Sequence, residues 1–120
     1  MHEFLDTKAL KNLAHALGVD ASDTLTQLTD LFKKNCQKKI TLMRKEAELD
    51  DYTEVAHGAH ALKGSAANLS IVTLKEKFEQ IESQAKAGHK ENIFSLLEEI
   101  EQLLPLVIER LQQFITDLPR

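Results

Sequence analysis

Apolar positions recur along the chain at helical intervals, and the pattern predicts five helices and no strands. The first is expected from about Thr7 to Leu17, with Leu10, Leu13, Ala14 and Leu17 on one face and Gly18 as its stop. It is short, so it is expected to cap one end of a bundle. Asp20 is placed to N-cap a second helix, with Asp23 in its first turn. Leu25, Leu28, Phe32, Cys36, Ile40, Met43 and Ala47 form its apolar face, and it ends near Leu49. Asp50 and Asp51 then punctuate the chain. Asp51 with Glu54 makes a capping-box-like start to a third helix ending near Asn68. Val55, Ala59, Leu62, Ala66 and Leu69 give that helix a narrow stripe at bundle-seam spacing. Ser70 is expected to cap the fourth helix, whose core face is Leu74, Phe78, Ile81 and Ala85, and Gly88 ends it. In the fifth, Ile93, Leu97, Ile100, Leu104, Val107, Ile108, Leu111, Ile115 and Leu118 repeat at helical spacing. Pro105 removes one backbone donor there and is expected to bend the helix without dividing the domain.

Four long amphipathic helices with short connections predict an all-α fold: an antiparallel up-down four-helix bundle with a short additional N-terminal helix. No repeat suggests a solenoid. The length of 120 residues fits one domain spanning 1–120, enough for a single core.

Composition narrows the function classes. With 42% hydrophobic and 28% charged residues the chain reads as globular. A net charge of −4 provides no basic field for nucleic acid or anionic lipid. No apolar run approaches membrane-spanning length, and the acidic start MHEFLDTK lacks the apolar segment of a signal peptide. The single cysteine, Cys36, precludes an internal disulfide and sits within the second helix's apolar face, where it reads as a small core hydrophobe. These features suit a cytoplasmic location. Lys33, Lys34, Lys38 and Lys39 read as a solvated face.

The stretch 56–70, AHGAHALKGSAANLS, carries the candidate chemistry. At 100° per residue, His60 lies well off the apolar stripe. Its neighbours one turn away are Ala56, Lys63, Gly64 and Ala67. One imidazole therefore stands on a nearly bare helix surface with a cation beside it, open to a large flat partner. A glycine inside a helix costs about 1 kcal/mol against alanine. Close approach of a partner to His60 explains Gly64 better than tight helix packing, because Gly64 points away from the stripe.

The run His60-Ala61-Leu62-Lys63-Gly64-Ser65-Ala66-Ala67-Asn68-Leu69 resembles the signature of histidine-containing phosphotransfer (HPt) domains, the intermediate carriers of multistep two-component phosphorelays. The resemblance extends to Leu10 through Gly18, Phe32, Asp50 and the segment 81–88 that opens Ile81-Glu82. One departure is Ser70, where many family members have glycine.

The resemblance implies that His60 accepts a phosphoryl group on its outer nitrogen, Nε2, from a receiver-domain aspartate and returns it to another. Neutral imidazole is plentiful near pH 7, so the ring needs no activating base. Lys63 is placed to neutralise phosphate charge and Gly64 to leave access. Ala56, His57 and Ala67 are the expected partner-binding rim. Ser65 and Asn68 are expected to be structural, bonding neighbouring helices or the turn. His57 and His60 have no third ligand beside them, which argues against a zinc site, and His2, His15 and His89 have no supporting pattern.

No P-loop, glycine-rich kinase loop or Mg2+-binding acidic cluster is present, so neither ATP binding nor self-phosphorylation is expected. No intrinsic cofactor is expected; Mg2+ comes with the receiver. The expected partners are response-regulator receiver domains or a hybrid sensor histidine kinase, met by a monomer. A docking module that binds such a partner without accepting phosphate is the alternative.

Overall fold

Helical periodicity and local capping set the element boundaries in a computed structural model, which describes residues 4–119. His2 lies outside the described residues. The elements are α1 (Thr7–Leu17), a 3-10 turn (Gly18–Asp20), α2 (Ala21–Glu48), α3 (Tyr52–Asn68), α4 (Val72–Ala87) and α5 (Lys90–Thr116). Among the described residues there is no strand, only an isolated bridge between Leu5 and Ile71. The four long helices α2 to α5 pack in chain order around one core, and α5 returns against α2. Helix α1 packs on α2. No helix among the described residues is long and apolar enough to cross a membrane.

Each helix end has a local cause. The Asp6 carboxylate accepts from the Ala9 amide at 3.1 Å and starts α1. Gly18 stops it at φ +69°, and its N–H returns to Ala14 and His15. Asp20 occupies the N-cap position of α2 as expected, but without the capping bond. It also belongs to the 3-10 turn. The carboxylate of Asp51 accepts from the Glu54 amide at 3.4 Å. Only this half of the capping box forms, because the Asp51 amide donates to the Glu46 carbonyl at 2.9 Å.

Ser70, by contrast, is not at the cap position of α4. It adopts φ +56°, a left-handed conformation that carries the chain from α3 into α4. Ile71 is the residue before α4, with no side-chain cap. The segment before α1 clamps this turn, with the Asp6 amide donating to the Ser70 carbonyl at 2.8 Å and the Thr73 amide to Phe4 at 3.4 Å. At the other end of the bundle Gly88 closes α4 at φ +71°. There Lys90 Nζ lies 2.6 Å from Asp50, tying the turn before α5 to the turn before α3.

The expected apolar faces are buried with some differences, and Leu13 and Leu17 of α1 are only half-buried. Leu28 is 40% exposed and Thr29 takes the buried place, at 1%. Thr29 sits nearer the centre of the stripe, and its hydroxyl donates to the Leu25 carbonyl at 2.7 Å, so its polar atom is satisfied. Leu118 lies past the end of α5 and is half-buried, while Phe114 joins the core. Helix α5 runs unbroken through Pro105, whose ring is exposed. Phe78, Leu62, Leu74, Ile81 and Leu97 are fully buried, and each contributes roughly 1.5–3 kcal/mol. Cys36 is buried as expected, and burial pushes its thiol up to about 12.

Candidate functional site

Burial of Val55, Ala59, Leu62 and Ala66 fixes the rotation of α3. That rotation turns His60 outward, with 67% of its side chain exposed. Gly64 and Ala67 lie on the same exposed surface. A Cβ built on Gly64 would meet nothing within 4 Å, so no contact inside this chain requires the glycine. Gly58 is the packing glycine instead. It faces α2, where a Cβ would come within 3.1 Å of Met43.

Ala56 departs from the expected exposed rim. It is buried at 7%, because α4 packs along that side of α3. Ala56 lines the floor of a cleft between the two helices, with His60 on one wall and Glu82 and Lys86 on the other. His57 is exposed, its Nδ1 lying 3.7 Å from Glu54. Ser65 does not reach a neighbouring helix; its hydroxyl donates to the Ala61 carbonyl one turn back, at 3.2 Å. Asn68 is exposed.

Glu82 of α4, which the sequence did not single out as a site residue, organises this surface. Its carboxylate lies 3.2 Å from Nδ1 of His60 and 3.2 Å from Nζ of Lys63. Lys86, one turn further along α4, approaches it at 3.4 Å. Glu82 follows the core residue Ile81 and precedes Ala85, so it stands on the flank where α4 meets α3. Its side chain is only 15% exposed. Burial works against ionisation of Glu82. Hydrogen bonds from Lys63 and His60, the Lys63 charge and the bond from Lys86 outweigh it, and the carboxyl titrates below its ordinary range.

This contact orients the imidazole chemically as well as sterically. An ionised carboxylate only accepts hydrogen bonds. The ring nitrogen that bonds to it must therefore carry the hydrogen. In the neutral ring that leaves the lone pair on Nε2, which has no hydrogen-bond partner among the described residues. Lys63 is drawn to the same carboxylate, with 25% of its side chain exposed, which holds a cation beside the ring. The arrangement offers an unhindered nucleophilic nitrogen, a fixed hydrogen on the opposite nitrogen and two nearby ammonium groups. Among the described residues no group of three or more His, Cys, Asp or Glu is placed to hold a metal ion.

Comparison with known proteins bears on the fold and the family. No curated protein sequence matches the chain significantly. The crystal structure of histidine-containing phosphotransfer protein B from Pseudomonas aeruginosa is similar in fold, with a TM-score of 0.83 and 20% sequence identity. The alignment covers 99% of this chain and 100% of that one. The family model of the Hpt domain matches residues 27–118, which includes all of α3, α4 and α5. The chain belongs to the Hpt domain family, the histidine phosphotransfer modules of phosphorelays.

Proposed function

We propose that His60 is the phosphoacceptor of this Hpt domain and that Nε2 is the atom phosphorylated. The observation that supports the reading is the Glu82 contact at 3.2 Å: an ionised carboxylate there favours the hydrogen on Nδ1 and so Nε2 as the nucleophile. A receiver-domain phospho-aspartate is the donor and a second receiver aspartate the final acceptor. Phosphoryl transfer needs in-line approach and charge neutralisation. The open surface at Gly64 and Ala67 supports the approach. Lys63, with Lys86 behind it, supports neutralisation. His57 and Ala67 form the exposed rim toward the partner, and Ala56 acts from beneath as cleft floor. The receiver brings the Mg2+ that its aspartate chemistry requires. The protein acts as a carrier, a monomer in the cytoplasm, with no kinase activity of its own.

The test is incubation with a phosphorylated receiver and Mg2+, followed by a search for phosphate that is acid-labile and alkali-stable. The wild-type protein is expected to acquire such label and the His60→Gln variant to acquire none. Label retained by His60→Gln would refute the assignment. Stable binding without any transfer would identify a docking module instead.

A further inference from the structure

We infer that the outward face of α2 is a docking surface for an acidic amphipathic helix of a partner protein. The inference does not depend on which residue carries the phosphoryl group.

Helix α2 has a second apolar row besides the one it buries. Leu28, Leu31, Leu42 and Leu49 stand on it, 40%, 56%, 52% and 71% exposed. They are four of the seven exposed large hydrophobics among the described residues. Scattered surface leucines need no explanation, but leucines gathered on one row do. Asn35, Lys38 and Lys45 fill the remaining places, so the row advances alternately by three and four residues. That is the heptad spacing of a seam between two helices, in which a single asparagine commonly fixes the register. The row runs for about 32 Å along the helix. Helices α1, α3 and α5 all pack on α2, yet every place on this row stays exposed.

Charge selects the occupant. Residues 31–45 contain Lys33, Lys34, Lys38, Lys39, Arg44 and Lys45 and no acid, so this stretch carries +6 in a chain of net charge −4, leaving −10 elsewhere. Glu101 takes Arg44, and Lys39 lies in the field of Glu46. Lys33, Lys34, Lys38 and Lys45 have no ion pair among the described residues. Lys38 and Lys45 stand in the seam itself, where their stems extend the apolar row and their ammonium groups call for carboxylates opposite. A second copy cannot supply them. Parallel pairing would set Lys38 on Lys38 and Lys45 on Lys45, and antiparallel pairing would lay one basic stretch across the other. The −10 carried by the rest of the chain opposes approach to an anionic bilayer. A helix with leucines and glutamates on one face satisfies both the row and its charge.

The test uses the full chain and a fluorescent synthetic helix of three heptads, with leucine and glutamate alternating at its seam positions. A control peptide carries lysine in place of each glutamate. Anisotropy titrations are expected to show binding of the acidic peptide, weakened by added salt, and none of the control. The double variant Lys38→Glu/Lys45→Glu and the double variant Leu31→Ser/Leu42→Ser are each expected to bind roughly tenfold or more weakly. All the substituted side chains are exposed, so melting curves should match the wild type. Phosphotransfer from a receiver should also be unchanged in both variants. Absence of binding by the wild-type chain, or equal binding by the variants, would overturn the inference. So would loss of receiver transfer in the variants, which would place the row within the receiver contact. Preferential binding to vesicles of equal phosphatidylcholine and phosphatidylglycerol, or a concentration-dependent dimer abolished by Leu31→Ser/Leu42→Ser in sedimentation, would replace the acidic helix with a membrane or a second copy and overturn it equally.

Discussion

Met43 packs so closely over Gly58 that a Cβ on the glycine would lie 3.1 Å from its Cγ and 3.2 Å from its Sδ. Six residues along α3, Gly64 has open space where its Cβ would be. Two glycines on one helix thus answer to different constraints, one inside the fold and one outside it.

Substitution separates them. Gly64→Ala removes the helix penalty of glycine and introduces no clash, so it is expected to stabilise by about 0.5–1 kcal/mol and raise Tm by a few degrees. Gly64→Leu is expected to stay folded yet slow receiver-dependent transfer at least about tenfold, by holding the partner off the ring. Gly58→Leu must displace Met43 and is expected to cost about 1–3 kcal/mol. Thermal melts and transfer rates on the three variants check all of this. A Gly64→Leu variant that transfers at the wild-type rate would show that the open surface is not needed for access.

Lys63 stands beside the ring, bound to Glu82 at 3.2 Å. A hydrogen bond to a charged group contributes about 1.5–3 kcal/mol where both partners are well placed. Lys63→Ala is therefore expected to slow transfer roughly 10- to 100-fold. The fold should survive, because Lys86 and His60 remain as partners of Glu82. Single-turnover transfer measured together with a melting curve distinguishes the two effects. Loss of transfer accompanied by a collapsed melting transition would make Lys63 structural.

Ser70 holds φ +56° with a side chain attached. Left-handed backbone costs an L-residue roughly 1–2 kcal/mol, a cost glycine does not bear. The bond it accepts from Asp6 is made by its backbone carbonyl and survives substitution. Ser70→Gly is expected to gain up to about 1 kcal/mol, with Ser70→Ala nearly neutral. Equilibrium urea denaturation of both variants checks the contrast. The glycine that many HPt domains place here is explained by the same geometry.

These cases mark where sequence reasoning reached and where it stopped. His60, Lys63 and Gly64 lie within one turn of one helix, so their shared face follows from the helical period. Glu82 comes from a different helix, and its meeting with His60 depends on how α3 and α4 align, which no spacing within either helix encodes. Ala56 shows the same limit, since its angle on α3 was legible but the cover supplied by α4 was not. Asp20 and Ser70 have good capping side chains, yet backbone conformation decided their roles. Thr29 is buried at the stripe's centre because its hydroxyl finds a carbonyl in its own helix, an option that binary patterning ignores.

Two carboxylates near the ends of the site should give opposite responses to acid. Glu46 titrates above its ordinary value of 4.5. Burial is the main cause, and the neighbouring charges of Glu54 and Asp51 outweigh Lys39. A folded state that binds this proton more tightly than the unfolded chain is penalised wherever Glu46 is ionised, and the penalty disappears as pH falls through the folded pKa to the unfolded one. Glu82 titrates below 4.5 for the reasons given above. Its ionised form supports the fold, and that support is present above the unfolded pKa and lost as pH falls through the folded one. At pH 7, Glu46→Gln should therefore raise Tm and Glu82→Gln should lower it, each by a few degrees at most. The gain from Glu46→Gln should vanish by about pH 4, where both states are protonated. The loss from Glu82→Gln should persist to lower pH and fade only below the depressed folded value. Melting curves collected from pH 7 down to the acid limit of folding follow both. Parallel curves for the two variants would mean that the charges around Glu82 and Glu46 do not govern their ionisation.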